Sequence, residues 1–113
     1  MNTVKTYDEY ISHLTNPNLT FFYVYDKGDN FSNTGKLLLD NLVKNYHGAD
    51  FCSIEKSENP ELAKKLQIAG SPAIFFGHGG QREPTTRIAA TNPQIIVQFT
   101  ITAFSRRGIT KNT

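Results

Sequence analysis

The side chains that most often carry chemistry are few in this sequence and widely spaced. Cys52 is the only cysteine among 113 residues, so an intramolecular disulfide, a Cys-x-x-Cys redox pair and a multi-cysteine zinc site are excluded. The histidines, at positions 13, 47 and 78, are too far apart in sequence to indicate a local metal motif. We therefore expect no metal and no cofactor.

A glycine-rich run, Gly77-His78-Gly79-Gly80, is a second motif that could bind a ligand, because such loops can cradle anions. A phosphate-binding loop is followed by a helix, and the sequence predicts none after this run. We favour the alternative, a tight turn between two strands, and infer no small-molecule substrate.

Charge is unevenly distributed along the chain, although the net charge is only +2. Residues 1–80 carry a net charge of −2 and residues 81–113 a net charge of +4, with Arg106, Arg107 and Lys111 near the end. Such a segment can attract an acidic partner or nucleic acid. Because the charges are few and are not interleaved with aromatic residues, we predict a short solvated basic tail over 106–113 and do not expect nucleic-acid binding.

Length and composition predict one globular domain, over residues 1–105. The chain is too short for two domains, and 38% hydrophobic with 19% charged residues is typical of a folded protein. No run approaches the roughly 20 apolar residues of a membrane helix, and the N-terminus has no apolar signal segment. We expect a cytoplasmic protein without membrane insertion.

The hydrophobic pattern alternates helices with strands. A capping box at Thr6 and Glu9 begins a short helix, and the continuous β-prone run 21–25 predicts a central strand covered on both faces. The pattern then predicts a long helix ending at 47–48, a strand at 51–54, a helix from Asn59-Pro60, a strand at 73–76 and a strand near 86–90.

The segment 93–104 has two interpretations. Its residues at 95, 97, 99, 101 and 103 alternate as those of a strand do, whereas Asn92-Pro93 repeats the cap-plus-proline start of a helix. We predict a helix.

The order of these elements resembles the thioredoxin fold over residues 6–104. Three blocks carry the resemblance: the strand, loop and long helix of 21–46; NPELAKKLQI at 59–68, similar to the family's NPELAxKYxI; and GSPAIFF at 70–76, similar to the family's GxPTLLxF. The resemblance implies an α/β fold with a central mixed sheet of four to five strands and helices on both faces. It also implies a cis-proline, Pro72, before the third main strand.

The same resemblance places Asp29-Asn30-Phe31-Ser32 on the Cys-Gly-Pro-Cys motif of thioredoxins. Disulfide exchange needs a thiolate, which neither Asp29 at the attacking position nor Ser32 at the resolving position supplies. Tyr23 falls on the family's buried acid and is no carboxylate. We therefore expect no thiol–disulfide oxidoreductase activity, and we expect Asp29 to cap the long helix.

Cys52 lies in the middle of a predicted strand, where a free cysteine packs as a small hydrophobe. The alternative is a reactive thiol.

Beside the cis-proline, thioredoxins pair with extended client segments. The resemblance therefore implies a peptide groove with strand-like hydrogen bonds, formed by Asp29, Phe31, Ser32, Gly70, Ser71 and Pro72. The alternative is a turn that the fold requires for its own shape.

The last helix is apolar nearly all round, and such a helix is normally covered on both sides. On a helical wheel, the face predicted to meet the core comprises Ile96, Phe99 and Ala103. The opposite face comprises Val97, Ile101 and Phe104, and we hypothesise that it docks on another protein or on a second copy of the chain. The alternative is a helix of different orientation, or a strand.

These observations predict a redox-inactive thioredoxin-like protein that acts as a protein-binding or assembly module, such as a small subunit of a larger complex. One alternative is a thiol-dependent or redox accessory enzyme of the same fold. Another is a regulatory protein similar to the thioredoxin-like circadian clock proteins, which a rearranged C-terminal half would indicate.

Overall fold

A computed structural model describes residues 1–89 and 92–113. In chain order, its elements are β1 (Asn2–Thr3), α1 (Tyr7–Leu14), β2 (Thr20–Tyr25), α2 (Asn30–Val43), β3 (Tyr46–His47), β4 (Asp50–Glu55), α3 (Pro60–Lys65), β5 (Ala73–His78), β6 (Gln81–Arg82), β7 (Thr86–Arg87), α4 (Pro93–Arg106) and β8 (Thr110–Lys111).

The main sheet is mixed and has the order β1-β4-β2-β5, with β6 and β7 both on the outer side of β5. β4 is parallel to β1 and β2, whereas β5 is antiparallel to β2. β6 and β7 pair with opposite ends of β5, and Pro84, which has no N–H to donate, lies between them on this edge. The predicted central mixed sheet is confirmed, although it has six strands and not four to five. The strand expected near 86–90 is β7, and residue 90 lies outside the described residues.

Helices cover both faces of this sheet, as predicted. Every residue of β2 is buried, which confirms β2 as the central strand. On the face covered by α1 and α3 the core comprises Val4, Tyr10, Leu14, Phe22, Val24, Cys52, Ile54, Leu62, Ala63, Leu66, Ile68, Ala73 and Phe75. On the face covered by α2 and α4 it comprises Phe21, Tyr23, Tyr25, Leu39, Val43, Ile74, Phe76, Ile88, Ile96, Phe104 and Ile109.

The segment after Asn92 is a helix, as predicted, but its orientation differs from the prediction. Ile96, Thr100 and Phe104 face the sheet and are fully buried. Phe104 therefore does not belong to the outer face, because its ring packs edge-on against that of Phe21 with centroids 5.0 Å apart. Phe99, predicted to meet the core, is 38% exposed instead. The pattern of apolar residues does not indicate this orientation, because Thr100, a polar residue, lies in the buried stripe of α4.

The predicted boundary at 105, with a separate tail over 106–113, is wrong, although every residue of that segment except Ile109 is exposed. Arg106 is the last residue of α4, and Gly108 adopts a positive φ of 72° that turns the chain back. Ile109 is then buried, and β8 pairs antiparallel with β3. Arg107 forms an ion pair with Glu83. The C-terminal segment is therefore part of the domain.

Within the described residues, the helices are all too short or too polar to cross a membrane.

Candidate functional site

The loop between β2 and α2 is organised by Asp29. Its carboxylate accepts hydrogen bonds from the backbone N–H groups of Phe31 and Ser32, each at 3.3 Å. These donors lie in the first turn of α2 and would otherwise have no partner within the helix. Asp29 is therefore the N-cap of α2, as the sequence predicts.

Replacing Asp29 with alanine removes this cap. We expect Asp29→Ala to lower the free energy of unfolding by about 0.5–2 kcal/mol, measured by urea denaturation. Asp29→Asn, which keeps a capping oxygen, should stay close to wild type, and Asn30→Ala is a control at the next, exposed position. Equal losses in all three variants would contradict the capping role.

The hydroxyl of Ser32 is committed to the same loop. Ser32 is fully buried, its hydroxyl accepts the N–H of Asp26 at 3.0 Å, and it donates to the carbonyl oxygen of Asp26 at 3.1 Å. No histidine accompanies it in these hydrogen bonds, and a serine nucleophile needs such a base. Ser32 therefore holds the loop against the helix, and the geometry around its hydroxyl supports no role as a nucleophile.

Tyr23 lies beneath the first turns of α2. Its buried hydroxyl donates to the carbonyl oxygen of Ser32 at 2.8 Å. Burial, with a smaller contribution from Asp29, raises the pKa of Tyr23 well above the ordinary tyrosine value, so the group is neutral near pH 7. A Cβ at Gly35 would lie 2.6 Å from this hydroxyl oxygen and 2.5 Å from Cδ1 of Ile96. Tyr23 thus occupies the volume that a glycine leaves in α2.

The loop at 70–72 lies at the same end of the sheet. Val24, near the end of β2, pairs with Ala73, at the start of β5. The loop that follows β2 and the loop that precedes β5 therefore leave the sheet at the same edge. The Ser71–Pro72 peptide bond is cis, and the Pro72 carbonyl accepts the N–H of Ile88 at 2.9 Å.

Ser71 is half-buried, and among the described residues its backbone groups take part in no backbone hydrogen bond. The Arg87 side chain covers Gly70, because a Cβ there would lie 3.2 Å from Nε. The two loops that form the predicted groove, one with Asp29 and Ser32 and the other with residues 70–72, therefore lie at the same edge of the sheet. Its backbone is open at Ser71 and covered by Arg87 at Gly70.

Cys52 is fully buried in the middle of β4, on the sheet face covered by α1 and α3. Burial, and then the nearby Asp50 carboxylate, raises the pKa of the Cys52 thiol well above its ordinary value. α2 covers the opposite face, so the sheet separates Cys52 from the Asp29 loop. The predicted core role of Cys52 is confirmed.

The structure brings together three residues that the sequence analysis did not connect. Donor atoms of His13, Asp50 and Cys52 all lie within 4.8 Å of one another. Strand alternation places Asp50 and Cys52 on one face of β4, but no local pattern in the sequence links them to His13 on α1. Only the packing of α1 over β4 reveals this cluster.

A shallow groove of about 370 Å³ lies along the exposed side of α4. Ile95 and Phe99, one helical turn apart, are both exposed there, and Arg106 stands at its C-terminal end. Ile101 is exposed on the other side of the helix, whereas Val97 is half-buried. Of the three residues predicted to dock, Ile101 alone is clearly at the surface.

Comparison with solved structures identifies the fold. The chain superposes on Plasmodium falciparum thioredoxin with a TM-score of 0.74 at 16% identity, covering 90% of this chain and 98% of that one. It superposes on Fasciola hepatica thioredoxin with a TM-score of 0.72 at 16% identity, covering 91% of this chain and 98% of that one. On Malassezia sympodialis thioredoxin (Mala s 13) it superposes with a TM-score of 0.72 at 15% identity, covering 91% of this chain and 89% of that one. No family model matches the sequence, and no curated protein does.

The chain has a thioredoxin-like fold. Pro93–Arg106 is a helix, and the superposition covers 98% of the Plasmodium falciparum thioredoxin chain, so the described residues do not show the rearranged C-terminal half that would indicate a clock-type protein.

Proposed function

We propose that this chain is a redox-inactive, thioredoxin-fold protein that acts in the cytoplasm as a protein-binding or assembly module, such as a small subunit of a larger complex. One observation carries the proposal. At the two positions that the sequence resemblance places on the thioredoxin cysteines, Asp29 caps α2 and the Ser32 hydroxyl binds the Asp26 backbone. A fold that keeps this loop ordered without sulfur retains a surface for recognition and loses the group that exchanges disulfides.

The α4 groove is the binding surface that we favour. Ile95 and Phe99 expose apolar area side by side, and such a patch marks an interaction site more often than isolated apolar residues do. Phe99 is a rigid aromatic side chain of the type that dominates the binding energy of interfaces. With Arg106 at one end, the groove suits an apolar segment that carries an acidic residue.

The open backbone at Ser71 supports a second contact. An extended segment laid along Ser71 and Pro72 would pair with backbone groups that the fold leaves available. Phe31, half-buried at the start of α2, would line the same edge.

Redox inactivity is tested with a disulfide reporter in the presence of dithiothreitol. We expect the purified protein to leave the rate of reporter reduction at the level of reductant alone. Native alkylation of Cys52 should be slow and should become fast only on unfolding, because the thiol is buried. Turnover of the reporter, or rapid labelling of Cys52 in the folded protein, would instead support the thiol-dependent enzyme.

The binding role is tested by charge substitution in the groove. Phe99→Asp is compared with Ser105→Asp, an exposed site on the same helix that does not line the groove. We expect Phe99→Asp to weaken partner capture or self-association at least about tenfold, measured by sedimentation and by quantitative capture from the source organism. Ile101→Lys probes the other side of α4. Binding that neither Phe99→Asp nor Ile101→Lys alters would refute an α4 docking surface.

A further inference from the structure

We propose that His13, Asp50 and Cys52 form a binding site for a divalent transition-metal ion of the zinc class. The site lies on the sheet face covered by α1 and α3, opposite α4, so it is independent of the function proposed above. An imidazole nitrogen, a carboxylate oxygen and a thiolate sulfur are the ligands that proteins use for Zn²⁺. Ca²⁺ and Mg²⁺ are excluded by the same ligand set, because they prefer oxygen alone.

The donor atoms converge on one carboxylate oxygen. Nδ1 of His13 is in hydrogen-bond contact with Oδ2 of Asp50, and Sγ of Cys52 lies 3.8 Å from the same oxygen. In a tetrahedral zinc site with ordinary bond lengths, donor atoms are about 3.4–3.7 Å apart. The separation of Sγ and Oδ2 already approaches this range. The imidazole must withdraw from Asp50 and turn towards Sγ of Cys52, because the three donor atoms span up to 4.8 Å. It has room to do so because the His13 side chain is 27% exposed.

Surrounding residues hold these ligands in place. Asn2 pairs with Cys52 in the sheet, and its side-chain amide donates to Oδ1 of Asp50 at 2.7 Å. This bond occupies one carboxylate oxygen and orients Oδ2 towards the other two ligands. The Thr20 hydroxyl donates to the carbonyl oxygen of His13 at 3.0 Å, which ties the end of α1 to β2. Outer hydrogen bonds of this kind orient metal ligands in proteins.

The ion would enter from the solvent side of the cluster. Cys52 is buried, but the side chains of His13 and Asp50 are 27% and 18% exposed. Three protein ligands leave one tetrahedral position, which water would occupy. On binding, the Cys52 S–H bond breaks, a sulfur–metal bond forms and the proton leaves to solvent. The His13 proton moves from Nδ1 to Nε2, and no group changes its oxidation state.

The test is a Co²⁺ titration of the purified, reduced chain. Co²⁺ occupies zinc sites and gives a thiolate-to-metal absorption band, which reports Cys52 directly because it is the only cysteine. We expect the band to saturate at one equivalent and to disappear on addition of Zn²⁺. Cys52→Ser should abolish the band, and His13→Gln should weaken binding at least about tenfold. His47→Gln, which changes an exposed histidine in β3, is the matched control and should bind as wild type does.

Thermal unfolding gives a second readout that does not depend on the thiolate band. At a Zn²⁺ concentration about 100 times the wild-type Kd, the melting temperature of the wild type and of His47→Gln should rise by about 10 °C, and that of His13→Gln by no more than about half as much. If Cys52→Ser fails to fold, His13→Gln still tests the metal site, because the His13 side chain is partly exposed and its replacement should not disturb the core. Absence of the band at equimolar Co²⁺, or equal binding by wild type and His13→Gln, would overturn the proposal.

Discussion

Phe104→Ala is expected to lower the free energy of unfolding by about 3–5 kcal/mol. The Phe104 side chain is fully buried, and its ring lies within 5.5 Å, centroid to centroid, of those of Phe21, Tyr46 and Phe51. Alanine would leave a cavity between α4, the sheet and the strand β3 that these aromatic residues cannot fill without moving. Urea denaturation followed by circular dichroism measures the loss.

The matched control is Phe99→Ala, the same change on the same helix. Phe99 is 38% exposed and lies in the α4 groove, so its removal should change the free energy of unfolding by less than about 1 kcal/mol. The helical wheel drawn from the sequence places Phe99 inward and Phe104 outward, and therefore predicts the larger loss of unfolding free energy for Phe99→Ala. A larger loss for Phe99→Ala than for Phe104→Ala would therefore show that α4 has the orientation of the wheel.

The double variant Asp29→Cys/Ser32→Cys is expected to gain thiol–disulfide exchange. Cys at position 29 would stand at the N-terminus of α2, where the helix dipole favours the thiolate. Cys at position 32, three residues later, would resolve the mixed disulfide. We expect reduction of a disulfide reporter to rise at least about tenfold above wild type, assayed with dithiothreitol as the reductant.

Asp29→Cys alone is the control for the exchange reaction. It should form a mixed disulfide with the reporter and release it slowly, since Ser32 supplies no second thiolate. A double variant that forms its own disulfide, seen by loss of free thiols, yet fails to reduce the reporter would show that more than sulfur is missing from this loop. Activity in the wild type would contradict the proposed function itself.

Features encoded by neighbouring residues were predictable from the sequence. The apolar run of β2, the capping box of α1 and the Asn59-Pro60 and Asn92-Pro93 helix starts all act over a few residues, and the structure has each of them. The N-cap role of Asp29 follows from the same local chemistry.

Features that depend on distant parts of the chain were not predictable. Thr100 is buried only because α4 packs with that side on the sheet, and no periodicity of apolar residues marks it. Ile109 is buried because β8 pairs with β3, which lies more than 60 residues earlier in the chain. The meeting of His13 with Asp50 likewise needs α1 to lie across β4.

The fit between Tyr23 and Gly35 makes these two positions interdependent. Replacing Tyr23 by a smaller residue would open a void against Gly35, since the hydroxyl oxygen lies 2.6 Å from the place that a Cβ at position 35 would occupy. A larger residue at position 35, introduced alone, would clash with that oxygen and with Cδ1 of Ile96. A substitution at either position is therefore tolerated best when the other position changes with it.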